Sequence, residues 1–291
     1  ESEAKDAEDG WRFVGPLFTA SGHGVGAAEC PCMVPVGDGL WTLIYCLLSS
    51  RDRETGRRNL SHAVTGRFDG RSFEPLDTRE VDFGTDAYAF QATLGASGAF
   101  GIGWAANWTD VRKGEDFPSA MTLPRRFEWR GDHLATPPLD ALERLRGAER
   151  RLDPASADPV PVEDGTAEIL IELSGANAPF RLAFAHPSID LALEHDGTAL
   201  ELVHRPRAGD RDGPRYRAAT PGLSRLRIFV DRGLIEIYAD DGRWCCTKRL
   251  ADASPVTALA FASGEGVSRA SIHAIVTPAR SARGATSERS A

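Results

Sequence analysis

The sequence predicts an all-β protein, and three observations carry that expectation. Short runs of aliphatic, aromatic and β-branched residues recur along the chain, such as Trp41-Thr42-Leu43-Ile44-Tyr45-Cys46-Leu47-Leu48, which Gly39 and Ser49-Ser50 bound. Asp-Gly steps at Asp38-Gly39, Asp69-Gly70, Asp196-Gly197 and Asp241-Gly242 punctuate the runs. Both residue types tolerate the positive φ that a tight hairpin requires. One segment alone, residues 139–152, carries leucines at helical spacing. Many short strands joined by regular turns point to a propeller, a sandwich or a barrel.

The elements follow in order. Ala99-Phe100-Gly101-Ile102-Gly103-Trp104 is a second short apolar run, and Arg126-Phe127-Glu128-Trp129-Arg130 alternates before a turn at Gly131-Asp132. Pro137-Pro138 then introduce LDALERLRGAERRL, read as a short amphipathic helix or bent connector, and a Pro- and Asp-rich run follows it. Few strands could cross such a stretch, so a domain boundary is expected here. Beyond it come Ala167-Glu168-Ile169-Leu170-Ile171-Glu172-Leu173, Arg181-Leu182-Ala183-Phe184, Ile189-Asp190-Leu191-Ala192-Leu193-Glu194 and Ala199-Leu200-Glu201-Leu202-Val203. The cleanest hairpin joins Arg225-Leu226-Arg227-Ile228-Phe229-Val230-Asp231 to Leu234-Ile235-Glu236-Ile237-Tyr238-Ala239. Asp231 and Glu236 are expected to face outward or into the turn, as sandwich-edge residues without chemistry. The tail from about residue 279 is rich in Ser, Arg and Ala and is expected to be disordered.

Composition narrows the function classes. A net charge of -8 gives no electrostatic reason to expect nucleic acid or an anionic membrane as partner. No apolar run approaches the ~20 residues of a membrane span. The chain opens on Glu1-Ser2-Glu3 without a methionine, so a leading segment is expected to be missing, and the compartment stays open between cytoplasmic and secreted. The five cysteines, Cys30, Cys32, Cys46, Cys245 and Cys246, are odd in number and sparse, which argues against a disulfide framework. Their spacings lack the two-residue gap of a zinc knuckle, so buried free thiols are expected. The seven histidines show no ligand spacing, and Gly22-His23-Gly24-Val25-Gly26 lacks the strand-helix context of a phosphate loop. Neither metal nor cofactor is expected.

The stretch Ala28-Glu29-Cys30-Pro31-Cys32-Met33 places a carboxylate among small and apolar residues. A catalytic acid must keep its proton near neutral pH, and desolvation or a nearby negative charge achieves that. Pro31 is expected to hold Cys30 in extended geometry and so place Glu29 at a strand start. The residues alone leave Glu29 open between a solvated turn carboxylate and a catalytic acid.

Five segments in order resemble glycoside hydrolase family 32, the β-fructofuranosidases that include invertases, levanases, inulinases and sucrose-6-phosphate hydrolases. Glu29-Cys30-Pro31 is similar to the family's E-C-P motif. Asp82-Phe83-Gly84-Thr85-Asp86-Ala87-Tyr88-Ala89-Phe90-Gln91 resembles D-x-G-x-D-F-Y-A-P-Q, with Ala87 and Phe90 replacing the usual Phe and Pro. Gly103-Trp104-Ala105-Ala106-Asn107-Trp108 resembles G-W-x-x-N-W. Met121-Thr122-Leu123-Pro124-Arg125-Arg126 resembles M-T-L-P-R-E, with Arg126 in place of Glu. The hairpin through Phe229-Val230-Asp231-Arg232 and Ile235-Glu236-Ile237-Tyr238 to Asp241-Gly242 resembles one in the family's C-terminal sandwich.

The resemblance implies an incomplete five-bladed β-propeller, its later blades only, followed by a β-sandwich. Residues 1–138 would form the partial propeller, 139–160 a helical and Pro-rich linker, 161–278 the sandwich and 279–291 the tail. It implies that Glu29 is the general acid/base and that the partner is a fructose-containing saccharide. Asp86, Tyr88, Gln91, Trp104 and Asn107 become candidates for the pocket, since a flat ring can stack on a sugar and amides and carboxylates read hydroxyls. Core packing is the competing role for Trp104 and Trp108, and a structural role competes for Tyr88 and Gln91. The family nucleophile, an Asp in W-M-N-D-P-N-G, and a second Asp in R-D-P have no counterpart here. Only 28 residues precede Glu29, and Asp6 and Asp9 match neither motif. The chain alone is therefore expected to be inactive, with an N-terminal propeller part in the same or another polypeptide completing it. Two other readings stand beside this one: a non-catalytic carbohydrate-binding module, and fructosyl transfer in place of hydrolysis.

Overall fold

The computed structural model describes residues 11–20, 26–109, 120–208, 213–250 and 254–276. The leader with Asp6 and Asp9, the glycine run up to Val25 and the expected tail lie outside the described residues. The described chain is all-β apart from two short 3₁₀ turns at Asp140–Leu145 and Glu163–Gly165.

The first half forms two four-stranded antiparallel meanders. One contains β1 (Ala27–Gly37), β2 (Leu40–Arg51), β3 (Arg58–Phe68) and β4 (Phe73–Glu80) in sequential order. The other contains β5 (Tyr88–Gly95), β6 (Gly98–Trp104), β7 (Arg125–Arg130) and β8 (His133–Ala135). Asp38 and Gly39 both adopt positive φ, 52° and 71°, as the β1–β2 hairpin turn demands. Val34, Val36, Ile44 and Ala63 of the first meander pack with Phe90, Ala99, Phe127 and Leu134 of the second in one buried cluster. The alternation of the strands thus turns one face of each sheet toward the other, and β1 lies beside β5, where the Cys32 thiol reaches the Phe90 carbonyl at 3.3 Å.

The second half is two six-stranded antiparallel sheets. One runs β10-β19-β12-β13-β14-β15, built from β10 (Val160–Pro161), β12 (Phe180–Ala185), β13 (Ile189–His195), β14 (Ala199–Pro206), β15 (Tyr216–Ala219) and β19 (Ala258–Ser263). The other runs β18-β17-β16-β11-β20-β9, built from β9 (Arg146–Leu152), β11 (Thr166–Leu173), β16 (Arg225–Asp231), β17 (Leu234–Ala239), β18 (Trp244–Arg249) and β20 (Val267–Ile275). Ile169, Ile171, Ile228, Ile235 and Ile237 from the second sheet meet Leu182, Phe184, Leu191, Leu193 and Leu202 from the first in a single core. Each such side chain contributes about 1.5–3 kcal/mol by leaving water.

Two expectations are corrected here. Residues 139–152 are neither a helix nor wholly a linker: a 3₁₀ turn ends at Leu145, and Arg146–Leu152 is an edge strand paired with β20. Its charges suit an exposed sheet edge as well as a helix face, and Glu149 pairs with Arg269 across the ladder. Glu236 does not face outward, and β16 and β17 are interior strands rather than an edge. Glu236 is buried against the first half of the molecule.

The two halves meet along the outer strand β18. Asp82-Phe83-Gly84-Thr85-Asp86 runs beside it: the Phe83 N–H donates to the Cys245 carbonyl at 2.9 Å and the Asp86 N–H to the Thr247 carbonyl at 3.2 Å. A Cβ on Gly84 would stand 2.2 Å from the Thr247 oxygen, so glycine is what permits the approach. Among the described residues no helix is long and apolar enough to cross a membrane.

Candidate active site

Glu29 sits near the start of β1, half-buried, opposite Cys46 of β2 in the ladder. The ladder then breaks. Between Glu29 and Cys32 the strand holds one residue more than its partner, a β-bulge. Cys30 within it has φ 50°, in the left-handed region. The expectation that Pro31 keeps Cys30 extended is overturned: the bulge overrides the local preference. β5 carries a matching irregularity between Tyr88 and Gln91, with Ala89 at φ 52°. A left-handed non-glycine residue costs roughly 1–2 kcal/mol. Two such residues, each just after a candidate site residue on adjoining strands, aim those side chains at one another.

The result is a bond across 59 residues of sequence. The Tyr88 hydroxyl donates to Oε2 of Glu29 at 2.8 Å. Tyr88 is almost wholly buried. Burial first, and the bond to Glu29 second, push its phenol well above the ordinary range, so it stays a neutral donor. Trp104, opposite Tyr88 in the ladder, meets its ring edge-on with centroids 6.4 Å apart. Trp108 continues the wall at 5.0 Å from Trp104 and is 58% exposed. Glu29, Tyr88, Trp104 and Trp108 therefore form one chain of contacts, from a half-buried carboxyl through a buried phenol to an exposed indole. An exposed indole can stack on a sugar ring, and a carboxyl can exchange a proton. Gln91 lies two residues beyond the bulged Ala89 and is exposed.

Asp86 and Asn107 stand elsewhere. Asp86 is fully buried and accepts from Lys248 Nζ at 2.7 Å and from the Arg249 N–H at 2.9 Å. Its carboxylate thus serves the junction between the halves. Asn107 is also fully buried. Its Nδ2 donates to the carbonyls of Arg58, Asn59 and Thr85 at 3.2, 3.3 and 3.0 Å, and its Oδ1 accepts from Asn59 Nδ2 at 3.0 Å. With its amide spent on backbone, Asn107 latches the two meanders together behind the site.

The same junction contains a buried charge cluster. Arg125 Nη2 donates to Asp82 at 3.0 Å and to Glu236 at 3.1 Å, and its guanidinium carbon lies 5.4 Å from the Phe90 ring centre and 5.0 Å from that of Tyr238. Glu236 also accepts from the Leu123 N–H at 2.6 Å and from the Tyr238 hydroxyl at 2.7 Å. Two of the quoted sequence segments, those around Asp82 and Arg125, thus serve the junction with much of their polar chemistry. All five cysteines are free, and Cys46, Cys245 and Cys246 are buried. Among the described residues no group of His, Cys, Asp and Glu side chains is arranged to hold a metal ion.

Comparison with known proteins matches this architecture. Residues 3–138 match the family model for the glycosyl hydrolases family 32 N-terminal domain, and residues 142–276 match that for the family 32 C-terminal domain. Sucrose-6-phosphate hydrolase from Klebsiella pneumoniae is 28% identical over 255 residues, covering 82% of this chain and 52% of that protein. Levanase from Bacillus subtilis is 26% identical over 278 residues, covering 81% of this chain and 40% of that one. The solved family 32 β-fructofuranosidase of Bombyx mori superposes with a TM-score of 0.75 at 19% identity, covering 91% of this chain and 58% of that one. The chain spans about half the length of the curated relatives it matches. With one N-terminal and one C-terminal model of a single family together spanning most of its length, the chain belongs to glycoside hydrolase family 32.

Proposed function

We propose that this chain is the acid/base-bearing part of a retaining β-fructofuranosidase. Its substrate is a fructose-containing saccharide, sucrose or a fructan such as levan or inulin. The observation that carries the reading is the Tyr88 hydroxyl on Glu29 beside the Trp104–Trp108 surface, at the meeting point of two bulged strands. The relatives' names, sucrose-6-phosphate hydrolase and levanase, support the substrate class. A solved variant of the Bombyx mori enzyme holds sucrose.

In this reading Glu29 protonates the leaving-group oxygen as the bond from the fructosyl carbon breaks. It then takes a proton from the water that releases fructose. Tyr88 fixes the carboxyl's orientation through Oε2, and Trp104 and Trp108 offer flat apolar surface to the sugar. Retention requires a second carboxyl about 5–5.5 Å from the first. The nucleophile and the aspartate that reads the fructose hydroxyls come from an N-terminal propeller part, in the same or another polypeptide. The two meanders are then the later blades of a five-bladed propeller. The test is fructose release from sucrose, inulin and levan. The chain alone gives none, and turnover by the chain alone that Glu29→Gln abolishes would overturn the requirement for a second part.

A further inference from the structure

Glu29 of β1, Cys46 of β2 and Ser61 of β3 are successive ladder partners, Glu29 opposite Cys46 and Cys46 opposite Ser61. Directly opposed residues in an antiparallel ladder share a face. The three side chains therefore form one transverse row on the first meander, and the row meets Ala87 and the first two residues of β5, Tyr88 and Ala89. The Ser61 hydroxyl donates to the Ala87 carbonyl at 2.7 Å. The Tyr88 hydroxyl donates to Glu29 at 2.8 Å. The Ala89 N–H donates to the Cys46 sulfur at 3.1 Å, and that sulfur lies 3.4 Å from the Ser61 oxygen.

We propose that Cys46, braced by Ser61, is a positioning residue for the acid/base: its thiol holds the left-handed Ala89 and so keeps the Tyr88 hydroxyl on Glu29. Ala89 at φ 52° would relax toward ordinary strand geometry without a partner for its N–H. Relaxation there moves the residue before it, Tyr88, whose ring direction depends on the bulge. Cys46 is fully buried, and burial pushes its thiol up to about 11, so at neutral pH the sulfur is an uncharged acceptor. The role of Cys46 in catalysis rests on the reading of Glu29 given above, but the coupling itself does not.

The test therefore needs no turnover. The carboxyl carbon resonance of Glu29 is read by NMR at one neutral pH in the chain with Glu labelled, together with hydrogen exchange at the Ala89 amide. Tyr88→Phe sets the reference, because it removes the hydroxyl that donates to the carboxyl. Cys46→Ala is expected to move the Glu29 resonance in the same direction by at least half of that amount and to raise Ala89 exchange at least tenfold. Cys46→Ser, whose hydroxyl can accept the same N–H, is expected to restore both toward wild type. Ser61→Ala supplies a second variant that leaves the sulfur in place, with a smaller move in the same direction. A Glu29 resonance unchanged in a folded Cys46→Ala protein, or moved equally in Cys46→Ser, overturns the proposal. So does a Tyr88→Phe protein with no change in the Glu29 resonance. None of these outcomes depends on whether fructosides are the substrates.

Discussion

The Tyr88 phenol and the Glu29 carboxyl meet at 2.8 Å although β2, β3 and β4 separate them along the chain. A buried neutral donor stabilises the ionised carboxylate, and a bond to a charged group is worth about 1.5–3 kcal/mol. In a complete, active form of the enzyme, Tyr88→Phe removes the bond that orients the Glu29 carboxyl. The expected outcome is kcat for a fructoside lowered roughly 10-fold with KM within about twofold. Steady-state kinetics check this, and an unchanged kcat contradicts it.

Arg125 ties Asp82 of the first half to Glu236 of the second with no solvent contact. Arg125→Met leaves both carboxylates buried without their cation. Breaking such a cluster from one side costs about 3–5 kcal/mol. Urea denaturation is expected to show a loss of that size. Arg125→Lys restores only part of it, because an ammonium cannot replace the planar guanidinium between the Phe90 and Tyr238 rings.

Asp86 separates a junction role from a sugar-binding role. Asp86→Asn removes the buried carboxylate that Lys248 pairs with at 2.7 Å, so thermal stability is expected to fall. KM for a fructoside in the complete enzyme is expected to stay within about twofold, as for a residue that makes no ground-state contact. A large rise in KM with unchanged stability would return Asp86 to the pocket.

Alkaline pH probes the buried thiols. Burial pushes Cys245 up to about 11 from an ordinary value of 9.0. The folded state holds this proton more tightly than the unfolded chain. Its stabilising contribution is therefore complete below about pH 9 and is lost as pH rises through about 11. Cys245→Ala costs stability at pH 8 through lost packing. Its further loss between pH 8 and pH 10.5 is expected to be smaller than wild type's by roughly 1–2 kcal/mol. Urea midpoints at the two pH values measure the difference.

Much of the fold was legible in the sequence because period-two alternation and Asp-Gly turns are local signals. Trp41 to Leu48, Ala99 to Trp104 and the Arg225 to Ala239 hairpin all lie in strands. The strand at Arg146–Leu152 was not legible, since an edge strand with one wet side shows the same charge mixture as a helix face. At the site, Glu29, Tyr88 and Trp104 come together. The sequence could not separate them from Asp86 and Asn107, because a buried junction and a sugar pocket both use carboxylates and amides. The side chain that Cys30's bulge re-aims, and the row formed by Cys46 and Ser61, depend on pairings between strands and leave no local pattern. Trp108, 58% exposed, lies outside the core.

The most direct test of Glu29 as acid/base uses this chain together with the N-terminal propeller part, supplied in the same or another polypeptide. Wild type and Glu29→Gln are compared on sucrose and on a β-fructoside whose leaving group departs without protonation. The expected result is a fall in sucrose turnover of about 10²–10⁴-fold with Glu29→Gln, while release of the activated leaving group in the first turnover is nearly retained. Sucrose turnover untouched by Glu29→Gln, or an equal loss on both substrates, would contradict the assignment.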